Sequence, residues 1–148
     1  MEKRLIDTKT WINELIAITD EGYEVPLNIT GNSMLPFLKP NRDRVMLKKF
    51  CPPAERGDIL LYRRPNGDYV LHRVTKANEK GIFFSGDIQG IEEGPVSEND
   101  IYAVVSKAFR NGKWTEPGKA DWDFFKNHWH RTLKLRRLFG NVYRRFGR

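Results

Sequence analysis

Residues 59–75 read ILLYRRPNGDYVLHRVT, two runs rich in branched and aromatic side chains on either side of a Pro-Asn-Gly-Asp segment. Ile59–Arg63 and Tyr69–Thr75 have the length and composition of strands, and Asn66-Gly67 between them accepts the positive φ angles that tight hairpins require. An antiparallel hairpin is expected here. In its second strand, period two puts His72 on one face with Val70 and Val74, and turns Leu71 and Arg73 to the other.

The same pattern extends outward. Arg44–Lys48, Ile82–Ser85 and Ile101–Phe109 read as further short strands, and Asn111-Gly112 as a second hairpin turn. Between Tyr23 and Thr30 the apolar residues Val25, Leu27 and Ile29 alternate, and Pro26 suits a strand at a sheet edge. Many short strands without intervening helices predict a mainly β fold, an antiparallel and partly closed β-domain. Ahead of it, Asp7 or Thr8 can cap a helix through Trp11, Ile12, Leu15 and Ile16 that ends near Glu21-Gly22. Behind it, Trp122, Phe125, Trp129, Leu135, Leu138, Phe139, Val142 and Phe146 recur at helical spacing, one amphipathic helix with a break at Gly140 as the alternative. The expected organisation is a β-domain with its helix over residues 1–121, core 24–110, and a basic, aromatic helical tail over 122–148.

A chain of 148 residues suits one domain able to bury a core. Its composition excludes a disordered, fibrous or membrane-embedded class. Cys51 is the only cysteine, so no internal disulfide forms. The first twenty residues contain no run of about 7 to 15 apolar residues as in a secretory signal, and nowhere is there a run of about 20 that would span a bilayer. A cytoplasmic location is expected, with peripheral contact at the inner membrane face as an addition. The net charge of +7 is uneven: residues 124–148 carry eight Lys or Arg and no acid, leaving 18 basic against 19 acidic residues before them. For that tail three readings follow, in order: packing on the β-domain, association with an anionic membrane surface, and, last, nucleic-acid binding.

Two residues stand out as candidates for chemistry. Ser33, in Gly31-Asn32-Ser33-Met34-Leu35-Pro36-Phe37-Leu38, lies between an expected strand and a turn. If a helical turn opens there, its unpaired N–H groups stabilise a negative oxygen. His72 is a side chain able to take a serine proton near neutral pH. Each alone has a plainer reading, a turn serine and a packed strand histidine. Their setting discriminates. Ser33-Met34-Leu35-Pro36-Phe37-Leu38, then Arg42-Asp43, then Arg56-Gly57-Asp58-Ile59-Leu60-Leu61, then His72-Arg73-Val74, then Gly86-Asp87 follow one another as comparable pieces do in type I signal peptidases. Over residues 24–108 the chain resembles the signal-peptidase and LexA-like serine peptidases.

That resemblance implies a serine endopeptidase acting on an extended, leader-like peptide with small side chains near the scissile bond. Where bacterial signal peptidases and LexA-like proteins carry a lysine base, this chain has His72, like the archaeal and endoplasmic-reticulum branch. By resemblance Ser33 is the nucleophile, His72 the general base, and Asp87 the first choice for a third catalytic group, with Glu92 and Glu93 near the place of a second acid. Signal peptidases often carry a hydroxyl residue where Gly31 stands, so the oxyanion hole rests on the Ser33 N–H with help from Asn32 or Thr30. A peptide-binding module of the same fold with weak or no catalysis is the alternative, and self-cleavage a third. Cys51 reads as a loop residue, and His128 and His130 fall on different helix faces, which disfavours a metal site. Lys48, Lys49 and Lys76 are amines away from the matching strand position. No cofactor or metal is called for, and the partner is a peptide or protein substrate.

Overall fold

The computed structural model describes residues 2–132 and 135, with residues 2–10 as backbone. Helix α1 (Glu2–Asp20) is followed by strands β1 (Val25–Asn28), β2 (Arg44–Lys49), β3 (Ile59–Arg63), β4 (Tyr69–Asn78), β5 (Gly81–Ser85), β6 (Glu93–Val96), β7 (Ile101–Arg110) and β8 (Lys113–Thr115), then helix α2 (Ala120–Asn127). The strands form one antiparallel sheet in the order β1-β2-β7-β3-β4-β5-β6, with β8 hydrogen-bonded to β7. The sheet is mainly antiparallel, as expected, and it does not close on itself.

The hairpin of residues 59–75 forms with Leu60 opposite His72 and Arg63 opposite Tyr69. Its connection is a turn closed by Gly67 N–H to Arg64 C=O (2.9 Å) and Arg64 N–H to Asp68 C=O (2.8 Å). Only Gly67 takes a positive φ (92°), whereas in the β7–β8 hairpin both Asn111 (49°) and Gly112 (83°) do. β1 lies at the sheet edge, where the missing N–H of Pro26 interrupts no ladder. β6 was not expected: Gly94 and Pro95 disfavour strands, and its pairing with β5 (Ile82 to Val96, Phe84 to Glu93) supplies what local propensity lacks.

Helix α1 starts at Glu2, upstream of the expected caps Asp7 and Thr8, because neither residue interrupts the backbone ladder. It buries Ile12 and Leu15, while Trp11 stays 41% exposed. One face of the sheet packs Val45, Leu47, Leu61 and Val105 against α1 and against Met34, Phe37 and Leu38. The other face gathers Leu60, Tyr62, Val74, Phe84 and Ile101. Each fully buried side chain of this size contributes about 1.5–3 kcal/mol.

Of the expected tail helix, the described part is α2 and a 3-10 turn over Trp129–Thr132. Trp122 joins the core, and its ring and that of Phe125 lie 6.0 and 4.8 Å from the Phe37 ring. The packed unit therefore continues past residue 121. The expected stripe from Leu138 to Phe146 and the break at Gly140 lie outside the described residues. No described helix is long and apolar enough to cross a membrane.

Candidate active site

The segment that carries Ser33 is held at both ends. Ile29 donates to Asp43 C=O (3.0 Å) and accepts from Asn41 N–H (3.0 Å), so the chain leaves β1 in register. Beyond it Leu35 N–H reaches Asn32 C=O (3.2 Å) and Leu38 N–H reaches Met34 C=O (2.9 Å), a pair of turns rather than a helix. The Ser33 carbonyl accepts from Ile88 N–H (3.2 Å), and Gly86 lies so near that a Cβ there would meet Ser33 O at 2.5 Å. Phe37 and Leu38 are buried beneath, and Arg110 Nε donates to Phe37 C=O (2.5 Å). Asp43, 2% exposed, accepts from the N–H groups of Lys39 (2.8 Å) and Asn111 (3.0 Å).

Ser33 and His72 line one cleft of about 800 Å³, together with Leu27, Thr30, Leu61 and Leu71. Trp11 and Ile12 of α1 form part of its wall. Its flanks are two strand edges. β5 pairs with β4 only from Arg73 onward, so among the described residues no strand pairs with 69–72 on that side, and β1 pairs only on its β2 side. Val74 points its N–H and C=O toward residues 57–58 before β3, so by alternation Leu71 and Tyr69 turn theirs to the open side. Likewise Ile29 faces Asp43, so Asn28 and Thr30 face the cleft.

His72 is only 2% exposed. Its Nδ1 lies 3.2 Å from Tyr62 Oη and 3.3 Å from Glu93 Oε1. Glu93 is clamped by Arg64, whose Nε and Nη2 donate at 3.0 and 2.8 Å. Those hydrogen bonds hold the Glu93 carboxyl below its ordinary range, while burial pushes the Tyr62 phenol far above its own. Burial likewise lowers the His72 pKa to about 4, against the opposing pull of Glu93, so the imidazole is neutral at pH 7. Nδ1 is thus the ring nitrogen met by both Tyr62 and Glu93.

Among the residues singled out from sequence, Ser33 and His72 share the cleft, and Asp87 does not share it with them. Its side chain is fully buried, and Arg73 Nε and Nη2 donate to it at 2.7 and 2.9 Å. Arg73 also donates to Gly57 C=O (2.8 Å) and lies over the Phe37 ring, 5.0 Å from its centroid. Arg73 points to the face opposite His72, which is why the acid it binds is not at the imidazole. Trp129 Nε1 donates to the Asp87 carbonyl (2.8 Å). Of the two glutamates, Glu92 pairs with Lys76 (3.4 Å) and Glu93 is the carboxylate at His72.

The Ser33 and Met34 N–H groups donate to no backbone carbonyl among the described residues, as an oxyanion site needs. Asn32 is exposed and does not line the cleft, whereas Thr30 and Gly31 do. Among the described residues no three His, Cys, Asp or Glu side chains are grouped to hold a metal ion.

Sequence reading missed Tyr62 and Arg64. Tyr62 sits two residues along β3 from Leu60, the partner of His72, and so on the same face diagonally from it. That offset was available once the hairpin register was. In comparisons with family models, curated proteins and solved structures, nothing matches this chain.

Proposed function

We propose that this chain is a serine endopeptidase of the Ser-His type, resembling the signal-peptidase and LexA-like enzymes, that cleaves an extended peptide through an acyl-enzyme on Ser33. The observation that carries the reading is that Ser33 and His72 line one cleft while Tyr62 and Glu93 hold the imidazole from behind. The peptide adds as a strand between the open edges of β1 and β4, using the backbone groups of Asn28, Thr30, Tyr69 and Leu71. Nε2 of His72 takes the Ser33 hydroxyl proton as Oγ attacks the scissile carbonyl carbon. The resulting oxyanion is met by the N–H groups of Ser33 and Met34. Collapse breaks the C–N bond, the imidazolium returns its proton to the leaving amine, and a water activated by the same nitrogen hydrolyses the ester.

The substrate is a leader-like cytoplasmic peptide, consistent with the single cysteine. A contact of the basic tail with an anionic membrane face, through Arg136, Arg137, Arg144, Arg145 and Arg148, is part of the same reading; flotation on anionic liposomes with and without residues 133–148 tests it, and equal flotation rejects it.

The central test uses a fluorophosphonate probe on wild type, Ser33→Ala and His72→Ala. Wild type alone is expected to label at full rate. Label retained by Ser33→Ala removes the nucleophile assignment. A folded wild type that neither labels nor cleaves extended peptides but binds them is the peptide-binding module instead.

A further inference from the structure

We infer that Tyr62 is a positioning residue of this site, the hydroxyl through which Glu93 holds His72 with its proton on Nδ1 and its lone pair on Nε2. The inference rests on the Ser-His reading and adds a residue that reading does not require.

Tyr62 is fully buried among Leu60, Val74, Phe84 and Ile101, and its ring stacks on Phe84 with centroids 4.0 Å apart and planes 18° from parallel. A phenylalanine would fill that space equally well, so packing explains the ring and leaves the hydroxyl to be explained. That hydroxyl stands 3.2 Å from His72 Nδ1, and Glu93 Oε1 stands 3.3 Å from the same nitrogen, so phenol and carboxylate meet at Nδ1. The groups facing the imidazole are Tyr62 from β3, Arg64 just beyond it, and Glu93 from β6.

Counting protons decides the tautomer. Glu93, ion-paired with Arg64, only accepts. The phenol has one proton, and the anionic carboxylate is its stronger acceptor. The Oη lone pair then faces Nδ1, which has to be a donor, and a neutral ring with its proton on Nδ1 presents a bare Nε2. Glu93 Oε1 stands 3.3 Å from Nδ1 and the Tyr62 hydroxyl 3.2 Å, so carboxylate and phenol oxygen together face the Nδ1 proton.

The test is a double-mutant cycle in the full chain with Tyr62→Phe, Glu93→Ala and both changes together. Rates of fluorophosphonate labelling are read across pH, and the His72 tautomer is read by nitrogen NMR in a Ser33→Ala background. Either single change is expected to slow labelling about ten-fold, and Glu93→Ala added to Tyr62→Phe to cost less than about two-fold more. Removing Glu93 lets the phenol turn its proton onto Nδ1, so the ring proton is expected to move to Nε2. Additive effects of the two changes, or an unchanged tautomer in Glu93→Ala, overturn the proposal. A Tyr62→Phe protein that fails to fold leaves the Glu93→Ala tautomer to decide it. A wild type that never labels removes the peptidase reading, while the NMR measurement still decides the positioning role.

Discussion

Gly86 stands against Ser33 with room for no side chain: a Cβ on it would lie 2.5 Å from the Ser33 carbonyl oxygen and 3.0 Å from the Ser33 Cβ. The first neighbour is backbone and cannot swing aside. Gly86→Ala is therefore expected to push the Ser33 loop away from His72 while the sheet, whose strand β5 ends at Ser85 just before this glycine, stays folded. Misplacement of about 1 Å costs a catalytic group on the order of 100-fold, so labelling of Ser33 should fall by that much with an unchanged circular dichroism spectrum. Wild-type labelling would show that the loop is not held by this contact.

The burial of His72 sets a pH dependence. Its pKa is lowered to about 4 from the ordinary 6.5, so the folded protein keeps the neutral ring where the unfolded chain takes up a proton. Between those values the unfolded state binds more protons, and stability falls as pH drops from 6.5 toward 4, by up to about 3 kcal/mol. Above 6.5 the contribution is fully present. For the proposed peptidase reaction, the rate is expected to persist to about pH 5, with its acid limb near 4 rather than 6.5. His72→Gln should flatten the stability profile in urea titrations run between pH 4 and 7; an equally steep profile in that variant would place the titrating group elsewhere.

Asp87 and Arg73 form a pair buried between the Ser33 turn and the C-terminal turn. Arg73→Leu leaves a carboxylate with no exposure and without the guanidinium that compensates it. The expected loss is about 3–5 kcal/mol, and Arg73→Leu with Asp87→Leu should recover much of it, because an apolar pair avoids the desolvation of two charges. Chemical denaturation of the three proteins measures both numbers. A double variant no more stable than the single one would mean that the shape of the pair matters more than its charge.

Phe37 lies under the Ser33 turn between the guanidiniums of Arg73 (5.0 Å) and Arg110 (4.5 Å), with Phe125 against it. Phe37→Ala should cost about 3–5 kcal/mol and lower the thermal midpoint accordingly. Because α2 loses its anchoring ring, the segment 120–132 should also gain protease sensitivity ahead of global unfolding. Limited proteolysis read by mass spectrometry checks the order of cleavage.

The hairpin of residues 59–75 was legible because its signals are local: branched residues at period two, and a glycine where a positive φ is needed. The same periodicity put His72 on the face of Val70 and Val74 and sent Arg73 to the other side, and both placements hold. β6 was not legible, since Gly94 and Pro95 form a strand only because β5 offers an unpaired edge. The acid beside His72 was open among three residues in sequence. Asp87 is the nearest of them to the glycine that packs on Ser33, yet its carboxylate turns to Arg73 through the register that sets Arg73 opposite Ser85.

What the sequence by itself determined is thus most of the strands, the face on which His72 sits and the two residues, Ser33 and His72, worth bringing together. Periodicity and turn chemistry act over a few residues and are written in consecutive letters. That Ser33 and His72 share a cleft, that Glu93 rather than Asp87 meets the imidazole, and that Tyr62 meets the same ring nitrogen was decided only by the tertiary structure. These contacts depend on how β3, β4 and β6 are ordered in the sheet, and that order follows from burying two faces at once, a condition no local stretch of the chain expresses.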